Sequence, residues 1–259
     1  MVIGYFNMEQ KVVILAIALF VLKFLSLLFL KKYSGNKVLL ETLDWVRTAI
    51  TALWIAFLIM YFTVQAFKIP SGSMEDTLQV GDHLLVNKFY YGIRLPTLKL
   101  SNDKSKIGKS FKISDTNYLN FEMKRFLVKN EVKIGDQVVF AFPVDTSKDF
   151  VKRCVGLPGD KIEIIDKILY INDVRQIEKY VTHKDQTIYK NDTSSPLVWR
   201  LRDNFGPIIL PENYFFVMGD NRDDSNDSRF WGPLHKDYIK GKPICIFFPI
   251  KRISSLKNK

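Results

Sequence analysis

The sequence predicts a mainly β domain carried behind two N-terminal transmembrane helices. Three observations lead there. Residues 12–30 and 48–67 are apolar stretches, each close to the ~20 residues a helix needs to cross a hydrocarbon core of about 30 Å. Beyond them, short runs rich in Val, Ile and aromatic residues recur between Gly-Asp and Pro punctuation, as strands do between turns. The length of 259 residues, with 14% aromatic residues, suits a membrane anchor plus one sizeable packed domain and argues against disorder.

The anchor is expected over residues 1–68. Its second span carries no charge, whereas the first holds Lys23, which at mid-span would cost roughly 2.5–3.5 kcal/mol unless it pairs or snorkels. A cleaved signal peptide is the alternative for the first span, but Lys31 and Lys32 stand where its small-residue cleavage site should lie. Lys31, Lys32, Lys37 and Arg47 fall between the spans, so the positive-inside rule places that loop in the cytoplasm and everything after Lys68 outside. The net charge of +11 gathers beside the apolar stretches and along residues 99–112. That distribution fits anionic lipid better than nucleic acid, for which no binding motif is present.

The domain is expected over residues 69–259. Gly81-Asp82 turns into an apolar strand that includes His83 and Leu84. Residues 95–130 are polar and lysine-rich and read as an extended ribbon. Gly135-Asp136 opens the next strand, 137–142, which Pro143 stops, and Lys161-Ile-Glu-Ile-Ile165 alternates with a strand's two-residue period. Residues 171–211 read as a smaller inserted lobe, 214–218 as a buried strand and 244–248 as the last one. Cys154 and Cys245 are too few for a disulfide framework, and two buried apolar thiols are favoured over a bridge between them. With His83, His183 and His235 scattered, no metal-ligand spacing appears, and no cofactor is expected.

Three stretches carry chemistry. The first is Lys68-Ile-Pro-Ser-Gly-Ser-Met-Glu-Asp-Thr-Leu78, where Pro70 and Gly72 make a shaped turn around Ser71 and Ser73. By itself it reads as a Ser/Gly turn leaving a membrane helix; a serine there becomes a nucleophile only with a base beside it. The second is Asp149-Phe-Val-Lys-Arg-Cys-Val-Gly-Leu-Pro-Gly-Asp160. Lys152 sits there among apolar neighbours, which is where an amine loses its proton most easily, although a strand lysine is usually a solvated one. The third is Gly219-Asp-Asn-Arg-Asp-Asp-Ser-Asn-Asp-Ser-Arg-Phe-Trp-Gly232. Its aspartates suggest calcium, but the ligand spacing of an EF-hand is absent and Arg222 and Arg229 intrude.

Together, in this order, the three stretches resemble the boxes of the bacterial type I signal peptidases, membrane-bound serine proteases with a Ser/Lys dyad. The resemblance runs from about residue 67 to 249 and implies the family's β fold, no metal or cofactor, signal-peptide-bearing precursors and membrane lipid as partners, and no nucleic acid. It implies a multi-pass protein of the bacterial cytoplasmic membrane with its catalytic domain on the extracytoplasmic side. It makes Ser73 the nucleophile and Lys152 the general base, with the Ser73 N–H and the Ser71 hydroxyl as the oxyanion hole. Ser225 aligns with the serine that orients the amine, and Asp227, Arg229 and Arg153 with a supporting charged network. Phe67, Ile69, Pro70, Met74, Leu78, Leu84, Phe150 and Val151 fall at or near positions lining pockets for small substrate side chains. Two residues depart from the family's usual pattern: Asp76 stands where proline is common, and Asp224 where asparagine is. Neither replaces a reacting group.

Overall fold

The structure, a computed structural model, describes residues 18, 21, 24, 25, 37–101, 110–112, 118–126, 130–190 and 195–256. It divides into two compact units, Met1–Gln65 and Ala66–Lys259. In the first unit, helix α1 runs over Lys37–Thr63, so it begins inside the stretch expected to be a loop. The second expected span does not stay helical to its end. Val64–Lys68 is strand β1, which joins the domain's large sheet through β2, His83–Asn87. Residues 18, 21, 24 and 25 are helical, and the rest of the first expected span lies outside the described residues. Among the described residues no helix is long and apolar enough to cross a membrane.

The second unit is mainly β. A three-stranded ribbon follows β2, made of β3 (Ile93–Ser101), β4 (Ser110–Lys112) and β5 (Tyr118–Phe126) in the order β3-β5-β4. It occupies the lysine-rich stretch expected to be extended. The chain then forms β6 (Gln137–Ala141) and β7 (Asp149–Gly156), which pair antiparallel with Val138 opposite Lys152. Next come β8 (Lys161–Ile165), β9 (Ile168–Ile171), β10 (Val174–Arg175), the short helix α2 (Leu197–Asp203) and β11 (Phe205–Ile209). These strands make a separate four-stranded sheet, β10-β9-β8-β11. That second sheet therefore starts ten residues before the lobe expected from residue 171, because β8 pairs with β9 and β11 and not with the large sheet.

The chain returns through β12 (Tyr214–Met218), helix α3 (Ser228–Trp231), β13 (Leu234–His235), β14 (Ile239–Phe248) and β15 (Ser254–Ser255). The large sheet has the order β1-β2-β14-β6-β7-β12-β13, with β15 on β14. Strand β14 begins five residues earlier than the apolar run at 244–248 suggests, because Ile239 and Gly241 already pair with Phe140 and Val139. Strand β7 is held on both sides, by β6 and by β12, so the second box is fixed in the middle of the sheet. Under the first box lies a core of Ile69, Met74, Leu78, Leu84, Val86 and Val139. Burial of each large side chain there contributes about 1.5–3 kcal/mol. Both cysteines are free; Cys154 is buried, its thiol pushed up to about 12 by desolvation, while Cys245 is only half-buried, contrary to the expectation of two buried thiols.

Candidate active site

The first box folds as an extended entry and a tight turn. Ile69 donates its N–H to the Asp82 carbonyl (2.8 Å) and accepts from Gly81 (2.9 Å), which fixes the approach to the turn. Gly72–Met74 is one turn of 3-10 helix with Ser73 and Met74 buried. Ser71 precedes it in extended conformation (φ −135°, ψ 156°), exposed, and its hydroxyl does not cap the turn. The next turn, Met74 to Thr77, has Glu75 at φ −56°, ψ 150° and Asp76 at φ 76°, closed by the Thr77 N–H on the Met74 carbonyl (3.2 Å). These angles describe a type II turn, whose third position demands positive φ. Proline, fixed near φ −65°, cannot occupy that position in this geometry; aspartate tolerates it. Aspartate at position 76 thus suits the turn behind the nucleophile, where proline would not.

Strand β7 brings Lys152 to this turn. The amine is hydrogen-bonded to Ser73 Oγ, and Lys152 is 3% exposed. Its pKa falls from 10.5 to about 8 because burial strips water from the ammonium, with Arg229 adding to the effect; Asp227, Asp220 and Asp224 oppose it. The Phe150 ring centre lies 5.7 Å from Nζ. No histidine competes for the role of base. His83 is edge-on to Phe247 and Phe248, His183 lies 3.6 Å from Asp223, and His235 faces Asp237.

The third box supports both partners from behind. A Cβ on Gly219 would collide with Ser225 and the Ser73 carbonyl oxygen, so only glycine permits this approach. Asn221 donates its N–H to the Ser73 carbonyl (3.2 Å) and its Nδ2 to that of Gly72 (3.2 Å). Asp220 accepts two bonds from Arg153 (2.8 and 2.6 Å) and one from the Thr77 hydroxyl (2.6 Å), joining all three boxes. Asp227 pairs with Arg229 through two bonds of 2.9 Å and accepts the Gly219 N–H (3.1 Å). Burial alone would raise the Asp227 carboxyl, but the charge and hydrogen bonds of Arg229 hold it below its ordinary value. Of the four aspartates that suggested calcium, Asp220 and Asp227 spend their oxygens on arginines, and Asp223 spends its on Lys167 and the Asp185 N–H. Ser225 is buried near the pair; its hydroxyl forms no well-aligned hydrogen bond among the described residues but lies close enough to Asp227 to help hold that carboxyl down, while Lys152 spends its contact on Ser73.

A cleft of about 310 Å³ opens over Ser73 and Lys152. Phe67, Ile69, Pro70, Met74, Phe150 and Val151 line it, as do Lys68, Ser71, Val139, Asp149, Asp224 and Asn226. Leu78 and Leu84 do not. Both are fully buried in the core beneath, where the chain after the turn folds inward, so their expected place in the pocket is corrected to the floor that supports it. Val139 went unnoticed in the sequence, though its register opposite Val151 puts it there. Asp149 and Asp224 sat inside the boxes with no signal that they face the cleft.

The chain is also similar to known proteins over most of its length. The family model described as signal peptidase, peptidase S26, matches residues 42–248. A signal peptidase I of Pseudomonas aeruginosa is 32% identical over 254 residues, covering 88% of this chain and 80% of its own. One from Pseudomonas fluorescens is 30% identical over 240 residues, covering 83% and 76%. The signal peptidase I P of Bacillus subtilis subsp. natto is 32% identical over 216 residues, covering 83% and 94%. A match of this extent, over a chain whose three boxes converge on one serine and one buried lysine, makes this protein a member of the signal peptidase family S26.

Proposed function

We infer that this chain is a membrane-anchored serine endopeptidase that removes signal peptides from exported precursors through a Ser73/Lys152 dyad. The observation that carries this reading is the buried Lys152 amine hydrogen-bonded to Ser73 Oγ at the base of the cleft. In its neutral form the amine accepts the Ser73 proton as Oγ attacks the scissile carbonyl. The resulting ammonium then gives that proton to the leaving amine. Water, deprotonated by the same lysine, hydrolyses the acyl-enzyme and restores the serine. The Ser73 N–H and the uncommitted Ser71 hydroxyl are suited to hold the oxyanion, a contribution of roughly 2.7–4 kcal/mol per donor. Ser225, buried beside Gly219 behind the dyad, is suited to steady the amine between steps.

The narrow apolar lining between Ile69, Met74, Phe150 and Val151 favours small substrate side chains, and an extended peptide would lie along the strand edges there. The basic residues Lys31, Lys32, Lys37 and Arg47 support an arrangement with the catalytic domain on the outer face of the cytoplasmic membrane, in contact with lipid. The test is to incubate purified protein with a precursor bearing an Ala-X-Ala site, beside Ser73→Ala. Wild type should release the signal peptide at that site and the variant should not. Persistent cleavage by Ser73→Ala, or none by wild type, overturns the reading.

A further inference from the structure

The second sheet's neighbourhood reaches back to the nucleophile turn through one segment around Thr182. Its backbone is anchored to the third box on both sides. The Thr182 N–H donates to the Asp220 carbonyl (2.9 Å), its carbonyl accepts from Arg222 (3.0 Å), and Thr182 and Asn221 form an isolated parallel bridge. Asn221 in turn holds the Ser73 and Gly72 carbonyls. The Thr182 side chain goes the other way: its hydroxyl donates to Asp76 Oδ2 at 2.5 Å. Beside it, Lys184 pairs with Glu75. A closed ring results, from Ser73 through Asn221 to Thr182, on to Asp76, and back along three peptide bonds. It spans the type II turn whose third residue is Asp76 at φ 76°.

We propose that Thr182 is a positioning residue for Ser73, its hydroxyl clamping the Asp76 end of the nucleophile turn while Asn221 clamps the serine end. The proposal rests on Ser73 being the nucleophile. Without the clamp, Asp76 itself loses its only side-chain tie among the described residues, leaving the turn to its closing bond, the Leu78 N–H on the Met74 carbonyl (2.7 Å) and the Thr77 hydroxyl on Asp220 (2.6 Å), and the Ser73 N–H and Oγ are directed less firmly toward the substrate. Reaction geometry tolerates little such drift, since small displacements of a reacting group cost rate out of proportion to binding. A single charge-assisted bond near the surface is worth about a three- to tenfold effect.

Thr182→Val removes the hydroxyl and keeps the shape and both backbone anchors. Asp76→Gly removes the carboxylate and keeps access to positive φ. On an Ala-X-Ala precursor, well below each variant's Tm, each should lower kcat about three- to tenfold with KM within about twofold. Thr182→Ser should restore the rate, and the double variant should be no slower than the slower single one. An unchanged kcat in Thr182→Val, a loss confined to KM, failure of serine to rescue, or penalties that multiply in the double variant would each overturn the proposal. Cleavage that survives Ser73→Ala would instead remove the dyad on which it stands, a separate result from any of these.

Discussion

Among the described residues, Lys152 is buried and the Lys167 side chain is nearly so, at 8% exposed, and their surroundings are opposite. Lys152, on β7, has no carboxylate in hydrogen-bonding contact; its partner is a serine hydroxyl. Lys167, at the β8–β9 turn, lies between Asp223 (2.9 Å) and Asp203 (3.9 Å) and donates to the Asp185 carbonyl (2.7 Å). Arg202 completes that cluster, bonded to Asp203 (2.6 Å) and Asp185 (3.0 Å). The charge of Lys167 is matched where it sits, so it serves as a structural cation. That of Lys152 is not, so the amine gives its proton up more readily. Burial alone does not make a base; burial without a counter-ion in contact does.

The sharpest way to break this contrast is to replace each lysine by arginine, which keeps the charge and cannot deprotonate. Lys152→Arg should lose cleavage by roughly 10⁴-fold or more, like Ser73→Ala. Lys167→Arg should stay within about tenfold of wild type. Substantial activity in Lys152→Arg would mean that the lysine acts as a fixed charge and that Ser73 has another base.

Stability should separate the two lysines with opposite signs. Folding lowers the Lys152 pKa from 10.5 to about 8, so the unfolded chain binds more protons between those values and stability rises with pH across that window. Below pH 8 the fold bears the full penalty of about 3 kcal/mol, less about 1 kcal/mol for the bond to Ser73. Lys152→Met should therefore be inactive yet about 2 kcal/mol more stable at pH 7; the gain should vanish at about pH 9.5 and reverse by about 1 kcal/mol at pH 10.5. Lys167→Met should lose about 3 kcal/mol, because it strands buried carboxylates. Thermal unfolding of both proteins at pH 7 and pH 10 checks the signs. Destabilisation by Lys152→Met at pH 7 would mean the lysine is charged and compensated after all.

The sequence made one lysine legible and left the other unnoticed for a physical reason. Lys152 lies within eight residues of Phe150, Cys154, Val155 and Gly159 in one continuous box, so its apolar neighbours were visible locally, although only the resemblance lifted it above an ordinary solvated strand lysine. Lys167 gains its meaning from Asp185, Asp203 and Asp223, which come together only when the second sheet and α2 fold. Thr182 was hidden likewise, in a stretch without motif, its partners Asp76 and Asp220 distant along the chain. The apolar strands of the large sheet were readable because a two-residue period is a local signal; the start of β14 at Ile239 was not, since that pairing depends on β6. Leu78 and Leu84 show the same limit. The resemblance put them at or near the cleft but could not say that they fill the core beneath it.

The smallest effect concerns the pH at which the dyad works. With a pKa of about 8, about one Lys152 in ten is neutral at pH 7, against about one in three thousand at the ordinary 10.5. The kcat/KM value should rise about tenfold per pH unit on the acid side and level off above a midpoint near 8. Asp224 lines the cleft, and its carboxylate favours the ammonium form of Lys152, opposing the desolvation that lowers the pKa. Replacing it with the asparagine common in the family removes that charge and keeps the shape. In Asp224→Asn the limb should move to lower pH by a fraction of a unit, raising kcat/KM about two- to threefold at pH 7 while leaving the plateau unchanged. A shift to higher pH would assign the limb to some other group, because loss of a negative charge can only lower an amine's pKa. A limb centred near that of free lysine would be more serious: Lys152 would then be as wet and as charged as a surface lysine, and its difference from Lys167 would carry no chemistry.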